Sequence, residues 1–256
     1  MEIFLNADTW VALITLTFLE VVLGIDNIIF ISISANKLPE NQVKRATYIG
    51  LLLAMLTRIV MLFSVSYLIA LKDPFLKVDW GWFKSGITGQ AVILFLGGLF
   101  LLYKSTKEIR HKMQPPDEKA LLKSPQVISF SNVIFQIILI DIVFSFDSIL
   151  TAIGMTNGIQ GALTIMVIAV IISIVIMMVF ATPINTFVSR NPTIQMLALA
   201  FLILIGFMLI AESAHLSHTY FFNKTVGVIP KGYLYFAIAF SLGVELLNLQ
   251  ARKKSK

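Results

Sequence analysis

Phe18-Leu19-Glu20-Val21-Val22-Leu23-Gly24-Ile25-Asp26-Asn27-Ile28-Ile29 aligns without gaps on Leu139-Ile140-Asp141-Ile142-Val143-Phe144-Ser145-Phe146-Asp147-Ser148-Ile149-Leu150. In both stretches an acid is followed six residues later by Asp, then by a small polar side chain, then by Ile. Both lie within long apolar runs, where each ionisable residue costs roughly 2.5–3.5 kcal/mol on insertion scales. Such a cost marks a functional site. Its double occurrence predicts a duplicated half built around one centre.

Composition places that centre in a membrane. The 256 residues are 57% hydrophobic and 13% charged, and mean hydropathy is +0.87; soluble domains run at about 25% charged. Absence of cysteine excludes disulfides, thiolate metal sites and thiol redox chemistry. Glu2 and Asp8 stand where a secretory signal carries Lys or Arg, so the first apolar run is expected to span the bilayer. Runs near the length needed to cross about 30 Å of hydrocarbon predict seven spans. They fall at 10–33, 46–71, 86–104, 127–152, 159–182, 195–214 and 230–249.

The fold class expected is an all-α polytopic membrane protein, an inverted 3+3 repeat plus a C-terminal helix. A single membrane domain, 1–256, divides into a first three-helix repeat (1–105), a basic cytoplasmic loop (106–126) and a second, inverted repeat (127–216). Residues 217–256 hold the seventh span and a basic tail. Lys and Arg number 14 on the side of the loop after span 1 and 5 on the other, with Arg58 inside span 2. That asymmetry places the N-terminus outside and the C-terminus in the cytoplasm. It also accounts for the net charge of +6 without a nucleic-acid partner. Gln90 and Gly98 in span 3 echo Gln195 and Gly206 in span 6. Trp10, Trp80, Trp82 and Tyr103 fit interfacial anchors.

On an ideal helix Glu20, Gly24 and Asn27 share one stripe, as do Asp141, Ser145 and Ser148. Asp26 and Asp147 lie about 120° round, a divergence that local unwinding at Gly24 and Ser145 could close. Four unpaired charges at this depth would cost roughly 10–14 kcal/mol together. Arg58 can neutralise one or two of them, as gate or counter-ion; the rest must be protonated or face a cation. Glu, Asp, Asn and Ser form an all-oxygen ligand set suited to Mg²⁺, Ca²⁺ or Mn²⁺. Glu212 and Glu245, near the ends of spans 6 and 7, are candidates for a secondary path, and both are equally read as interfacial acids reaching water. His215 and His218 read as solvated loop histidines.

Two other classes account for acids in such helices. Acids acting as interhelical glue predict that neutralising them leaves stability unchanged or improved. Intramembrane aspartyl proteolysis by Asp26 and Asp147 needs two Asp sharing a proton; neither Leu23-Gly24-Ile25-Asp26 nor Phe144-Ser145-Phe146-Asp147 carries Gly-x-Gly-Asp. No phosphate-binding, zinc-protease or dinucleotide motif is present, so no enzymatic activity and no prosthetic group are expected.

The two motifs resemble the paired signatures of the TerC family of membrane proteins. The likeness runs nearly end to end, including Ile229-Pro230-Lys231-Gly232-Tyr233 and Gly243-Val244-Glu245-Leu246-Leu247-Asn248. Within the family it is similar to the short members without cytoplasmic CBS domains. The resemblance implies a bacterial inner-membrane protein and a divalent cargo, Mn²⁺, carried outward. It also implies an alternative, a membrane partner that supplies metal to exported proteins at the export machinery. The family name comes from tellurite resistance. By resemblance Glu20, Asp26, Asn27, Asp141, Asp147 and Ser148 are the ion-site residues. One departure is Ile149-Leu150, where many members carry Pro soon after the second motif.

Overall fold

The computed structural model describes residues 6–64, 69, 71–114, 129–156, 158–222 and 224–254; the side chains of Ile25, Asp26 and 252–254 lie outside that description. Seven long helices carry the chain: α1 (Ala7–Ala35), α2 (Glu40–Phe63), α3 (Gly89–Met113), α4 (Phe130–Met155), α5 (Ala162–Arg190), α6 (Pro192–Leu216) and α7 (Lys231–Lys254). Each is long and apolar enough to cross a bilayer. Four short strands, β1 (Pro74–Asp79), β2 (Phe83–Thr88), β3 (Tyr220–Phe221) and β4 (Lys224–Thr225), lie between α2 and α3 and between α6 and α7.

Several helices begin where the local chemistry supplies a start. Asn6 caps α1 by accepting from the Asp8 amide. Thr88 caps α3 through Oγ1 and the Ala91 amide at 3.1 Å. Pro192, at the first position of α6, has no amide hydrogen to leave unpaired. The helices outrun the apolar windows that announced them. α2 starts at Glu40 rather than 46, α3 runs on to Met113 through residues assigned to the cytoplasmic loop, and α5 continues through Pro183 to Arg190. Hydropathy marks the hydrocarbon slab, whereas a helix continues into water as long as its side chains can reach it. Span 2 was expected to reach 71; α2 ends at Phe63, and residues 65–68 and 70 lie outside the described set. The remainder of the expected loop, 115–126, lies outside it too.

The chain divides into two compact units. The first combines Met1–Tyr67 with Pro125–Arg190 and so holds α1, α2, α4 and α5. Within it α1 packs on α5, α2 on α4 and α5, and α1 on α4. The second combines Leu68–Ser124 with Asn191–Lys256 and holds α3, α6, α7 and the strands. There α3 packs along α6, and α7 lies against α6 with most of its surface exposed.

The packing is reciprocal only in part: α1 on α5 has its counterpart in α4 on α2, whereas α1 also touches α2 and, among the described residues, α4 makes no comparable contact with α5. Burial nevertheless lines up the helices of the two halves. Leu16, Glu20, Gly24, Asn27, Ile28 and Ile31 correspond, 121 residues on, to Ile137, Asp141, Ser145, Ser148, Ile149 and Ala152, all buried. Ala46, Thr47, Gly50, Leu51, Ala54, Arg58 and Leu62, the buried residues of α2, correspond 119 residues on to Ile165, Met166, Ala169, Val170, Ser173, Met177 and Ala181, again all buried. In the second unit the two glycines singled out in the sequence face each other. A methyl group on Gly98 would lie 2.7 Å from the Gly206 carbonyl oxygen, and one on Gly206 would lie 3.0 Å from that of Gly98. Missing side chains allow this close backbone approach.

The strands form one sheet in the order β1-β2-β3-β4, antiparallel throughout. The alternation in Leu76-Lys77-Val78 and the turn at Trp80-Gly81-Trp82 carried this signal, but the residues were read only as loop and interfacial anchors. Gly81 takes φ +77, which a side chain would strain.

Candidate functional site

α1 and α4 run as unbroken helices through both motifs, so the unwinding entertained at Gly24 and Ser145 does not occur. Without proline after Asp147-Ser148, nothing in α4 removes a backbone bond. The stripe of each motif is buried: Glu20 and Asp141 are 4% and 3% exposed, and Asn27, Ser145 and Ser148 are buried beside them.

Arg58 joins the two motifs. Its guanidinium, 2% exposed, sits between them, with Nη1 donating to Glu20 Oε2 and Nη2 donating to Asp141 Oδ1 at 2.9 Å. Asn27 Nδ2 donates to the same Asp141 oxygen at 3.1 Å. Ser145 Oγ donates to Asp141 Oδ2, also at 3.1 Å, across one helical turn. Asp141 is therefore held by three donors from three helices, while Glu20 takes one arm of the guanidinium. Ser148 turns its hydroxyl to the Ser145 carbonyl of its own helix at 3.2 Å.

The cluster is incompletely satisfied. Asn27 Oδ1 and Arg58 Nε are buried and have no hydrogen-bond partner among the described residues. With all three ionised, two carboxylates and one guanidinium leave a net charge of minus one. Buried networks of this kind are costly when half-made. Removing one partner of a buried ion pair typically costs about 3–5 kcal/mol.

Two helix contacts explain how Arg58 reaches the centre. A methyl group on Gly50 of α2 would meet Ile137 of α4 at 3.1 Å. Two turns along α2, Arg58 reaches Asp141, its side chain leaning toward the N-terminus of its helix as helical side chains do. On the other side, a methyl group on Gly24 of α1 would come within 2.2 Å of Met177 Sδ on α5. Below it, a small pocket is lined by Glu20, Leu16, Leu62, Ile149, Met166 and Ala169, among others.

The remaining candidates are placed differently. Asp147 is half-buried on another face of α4, and its carbonyl accepts from Thr151 Oγ1 at 3.0 Å. The Asp26 side chain lies outside the described residues. Among the described residues, no three acidic or histidine side chains gather into a ready metal site. Glu212 and Glu245, both half-buried, belong to the second unit, on α6 and α7, where Asn248 Nδ2 lies 3.5 Å from Glu245 Oε2. His215 is exposed, with Nδ1 3.4 Å from the Val226 carbonyl, and His218 occupies a turn at φ 45. Met177, buried on α5, carries no mark in the sequence, and its contact with Gly24 of α1 shows only in the packing.

Seven apolar helices, one group of them enclosing a carboxylate–guanidinium cluster, define a polytopic integral membrane protein with an ionic centre. Residues 5–256 match the integral membrane protein TerC family, and the chain belongs to that family. It is 42% identical over 251 residues to a UPF0053 protein of Haemophilus influenzae, covering 98% of each chain. It is 44% identical over 250 residues to the UPF0053 inner membrane protein YgdQ of Escherichia coli, covering 98% of this chain and 96% of that one. The UPF0053 protein YegH of Escherichia coli is 41% identical over 249 residues, which span 43% of its greater length. No solved structure matches the chain.

Proposed function

We propose that this protein is a divalent-cation carrier of a bacterial inner membrane that exports Mn²⁺ by alternating access between two inverted three-helix repeats. The inner-membrane placement follows the name of the YgdQ relative. The basic-loop asymmetry then sets the N-terminus outside and the C-terminus in the cytoplasm. Glu20 and Asp141 bind the cargo ion at the centre with Asn27 beside them, and Asp26, Asp147 and Ser148 bind it along its path in and out of that centre. Glu212 and Glu245 serve a secondary path.

One observation carries the proposal: Arg58 lies between Glu20 and Asp141, one acid from each motif, deep in a helix bundle. A guanidinium there is a tethered monocation that holds the acids together in the absence of cargo. A divalent ion entering between them displaces it and converts a cluster of net charge minus one into a neutral pair of carboxylates with their metal. Interhelical glue would need no second acid pair at Asp26 and Asp147.

The test is Mn²⁺ flux into liposomes holding the purified protein, beside Asp26→Asn/Asp147→Asn. Flux that disappears in the variant supports the carrier. Folded wild-type protein that moves no Mn²⁺ overturns it and leaves the alternative role, metal supply to exported proteins at the export machinery.

A further inference from the structure

The buried positions that align Glu20 with Asp141 also align Arg58 with Met177. Met177 packs on Gly24, whereas Arg58 bonds Glu20 and Asp141; Gly24 and Ser145 are themselves counterparts, 121 residues apart. The two halves therefore place side chains of similar length at the same depth and aim one of them at the acids. In this structure it is the guanidinium. A carrier built from inverted repeats reaches its opposite-facing state when each half adopts the conformation the other now holds.

We propose that Met177 is the specificity-determining residue of the ion site. In the second state Arg58 withdraws toward Ser145, and the thioether of Met177 moves from Gly24 into the space between Glu20 and Asp141. Ser145 suits its part, since its hydroxyl can accept from a guanidinium that Gly24 could not bond. Ser148 suits its part as well, since turning from the Ser145 carbonyl toward Glu20 repeats what Asn27 does for Asp141. Asn27 Oδ1, buried and unpartnered here, supplies an oxygen to the ion. The cargo then meets two carboxylates, an amide oxygen and one soft sulfur. That donor set favours Mn²⁺ and softer divalent transition ions over Mg²⁺ and Ca²⁺, which prefer oxygen alone. The chain holds no cysteine, so a thioether is its available sulfur donor.

This inference rests on the carrier reading, and its test separates the two. Mn²⁺ and Mg²⁺ fluxes are measured in liposomes for wild type and for Met177→Leu, a near volume-conserving change. Wild type should prefer Mn²⁺, and the variant should lose about tenfold of that preference while still carrying Mg²⁺. An unchanged Mn²⁺ to Mg²⁺ ratio overturns the role of Met177 and leaves the carrier intact. Absence of flux in folded wild type overturns both. Should the Leu variant fail to fold, Met177→Cys gives the chain its single thiol. Cd²⁺ should then block Mn²⁺ flux at about tenfold lower concentration than in wild type, and equal sensitivity overturns the proposal.

Discussion

Replacing Arg58 by methionine, Arg58→Met, asks whether the guanidinium stands in for a metal. The substitution removes the cation that bonds both Glu20 and Asp141 while keeping an unbranched side chain of similar reach. It leaves two carboxylates that have lost their shared cation in a site less than 5% exposed. Breaking a buried pair in this way costs about 3–5 kcal/mol. At roughly 2–4 °C per kcal/mol for a chain of this size, the apparent midpoint should fall by about 6–20 °C. The two freed carboxylates match the charge of one divalent ion. Mn²⁺ at a hundred times its dissociation constant should therefore return about 2.7 kcal/mol, most of the loss, where the wild type gains less because Arg58 competes. The assay is thermal unfolding in detergent, followed by tryptophan fluorescence, with Mn²⁺ and NaCl titrated in parallel at fixed scan rate. A variant that melts with the wild type refutes the ionic role of Arg58. One that is rescued equally by Na⁺ refutes the substitution of metal for guanidinium.

Two further outcomes concern the second unit. Gly98→Ala inserts a methyl group 2.7 Å from the Gly206 carbonyl oxygen and 2.8 Å from Ile210 Cγ1. Forcing α3 and α6 apart should cost about 1–3 kcal/mol, read as a lower unfolding midpoint; an unchanged midpoint would show that the helices part freely. On the first hairpin, Asp79 accepts from the Gly81 amide at 3.0 Å and pairs with Lys84 at 3.2 Å. The backbone bond first, then Lys84, holds its carboxyl below the ordinary aspartate value of 3.8. A lowered folded value contributes stability above the unfolded pKa and loses it as pH falls through the folded one. The Trp80 and Trp82 signal should therefore stay constant from neutral pH down to that ordinary value and change only beneath it. A transition centred above it would contradict the turn geometry.

The seven spans were legible because a run of apolar residues of bilayer length has few other physical explanations. So were the acids, since carboxylates among Val, Ile and Phe contradict their surroundings. The Gly98–Gly206 crossing was half-visible: the letters matched, but only packing shows that the two backbones touch. The hairpin sheet was missed for a different cause. Its strands are two to six residues long, and a pattern that short cannot be told from loop beside helices of 24 or more. Within the site, Glu20 and Asp141 looked equivalent in the sequence, and their shared partner was only one choice for Arg58. Which carboxylate Asn27 would serve, and that Ser148 would turn to its own backbone, depend on side-chain rotamers that no spacing encodes.

Those last differences bear on mechanism more than the likeness between the halves does. Two identical halves facing one centre would give two states of equal energy, with no preferred resting conformation. Around the acids, besides Glu20 against Asp141, three differences between counterparts matter here: Arg58 against Met177, Ser145 against Gly24, and Asn27 against Ser148. On the carrier reading each of the three would favour the present arrangement without cargo. The charged side chain meets both acids, the one without charge packs on a glycine, and the longer amide rather than the short hydroxyl spans the gap between α1 and α4. In the proposed carrier an equal-affinity ligand would shift nothing between such states, and the cargo would shift them because it would bond the acids only where Arg58 had left. On the carrier reading the bias toward one state would be the same charge that the metal has to outcompete. A variant that removes the bias, Arg58→Met, should accordingly lose discrimination between its two states along with its stability.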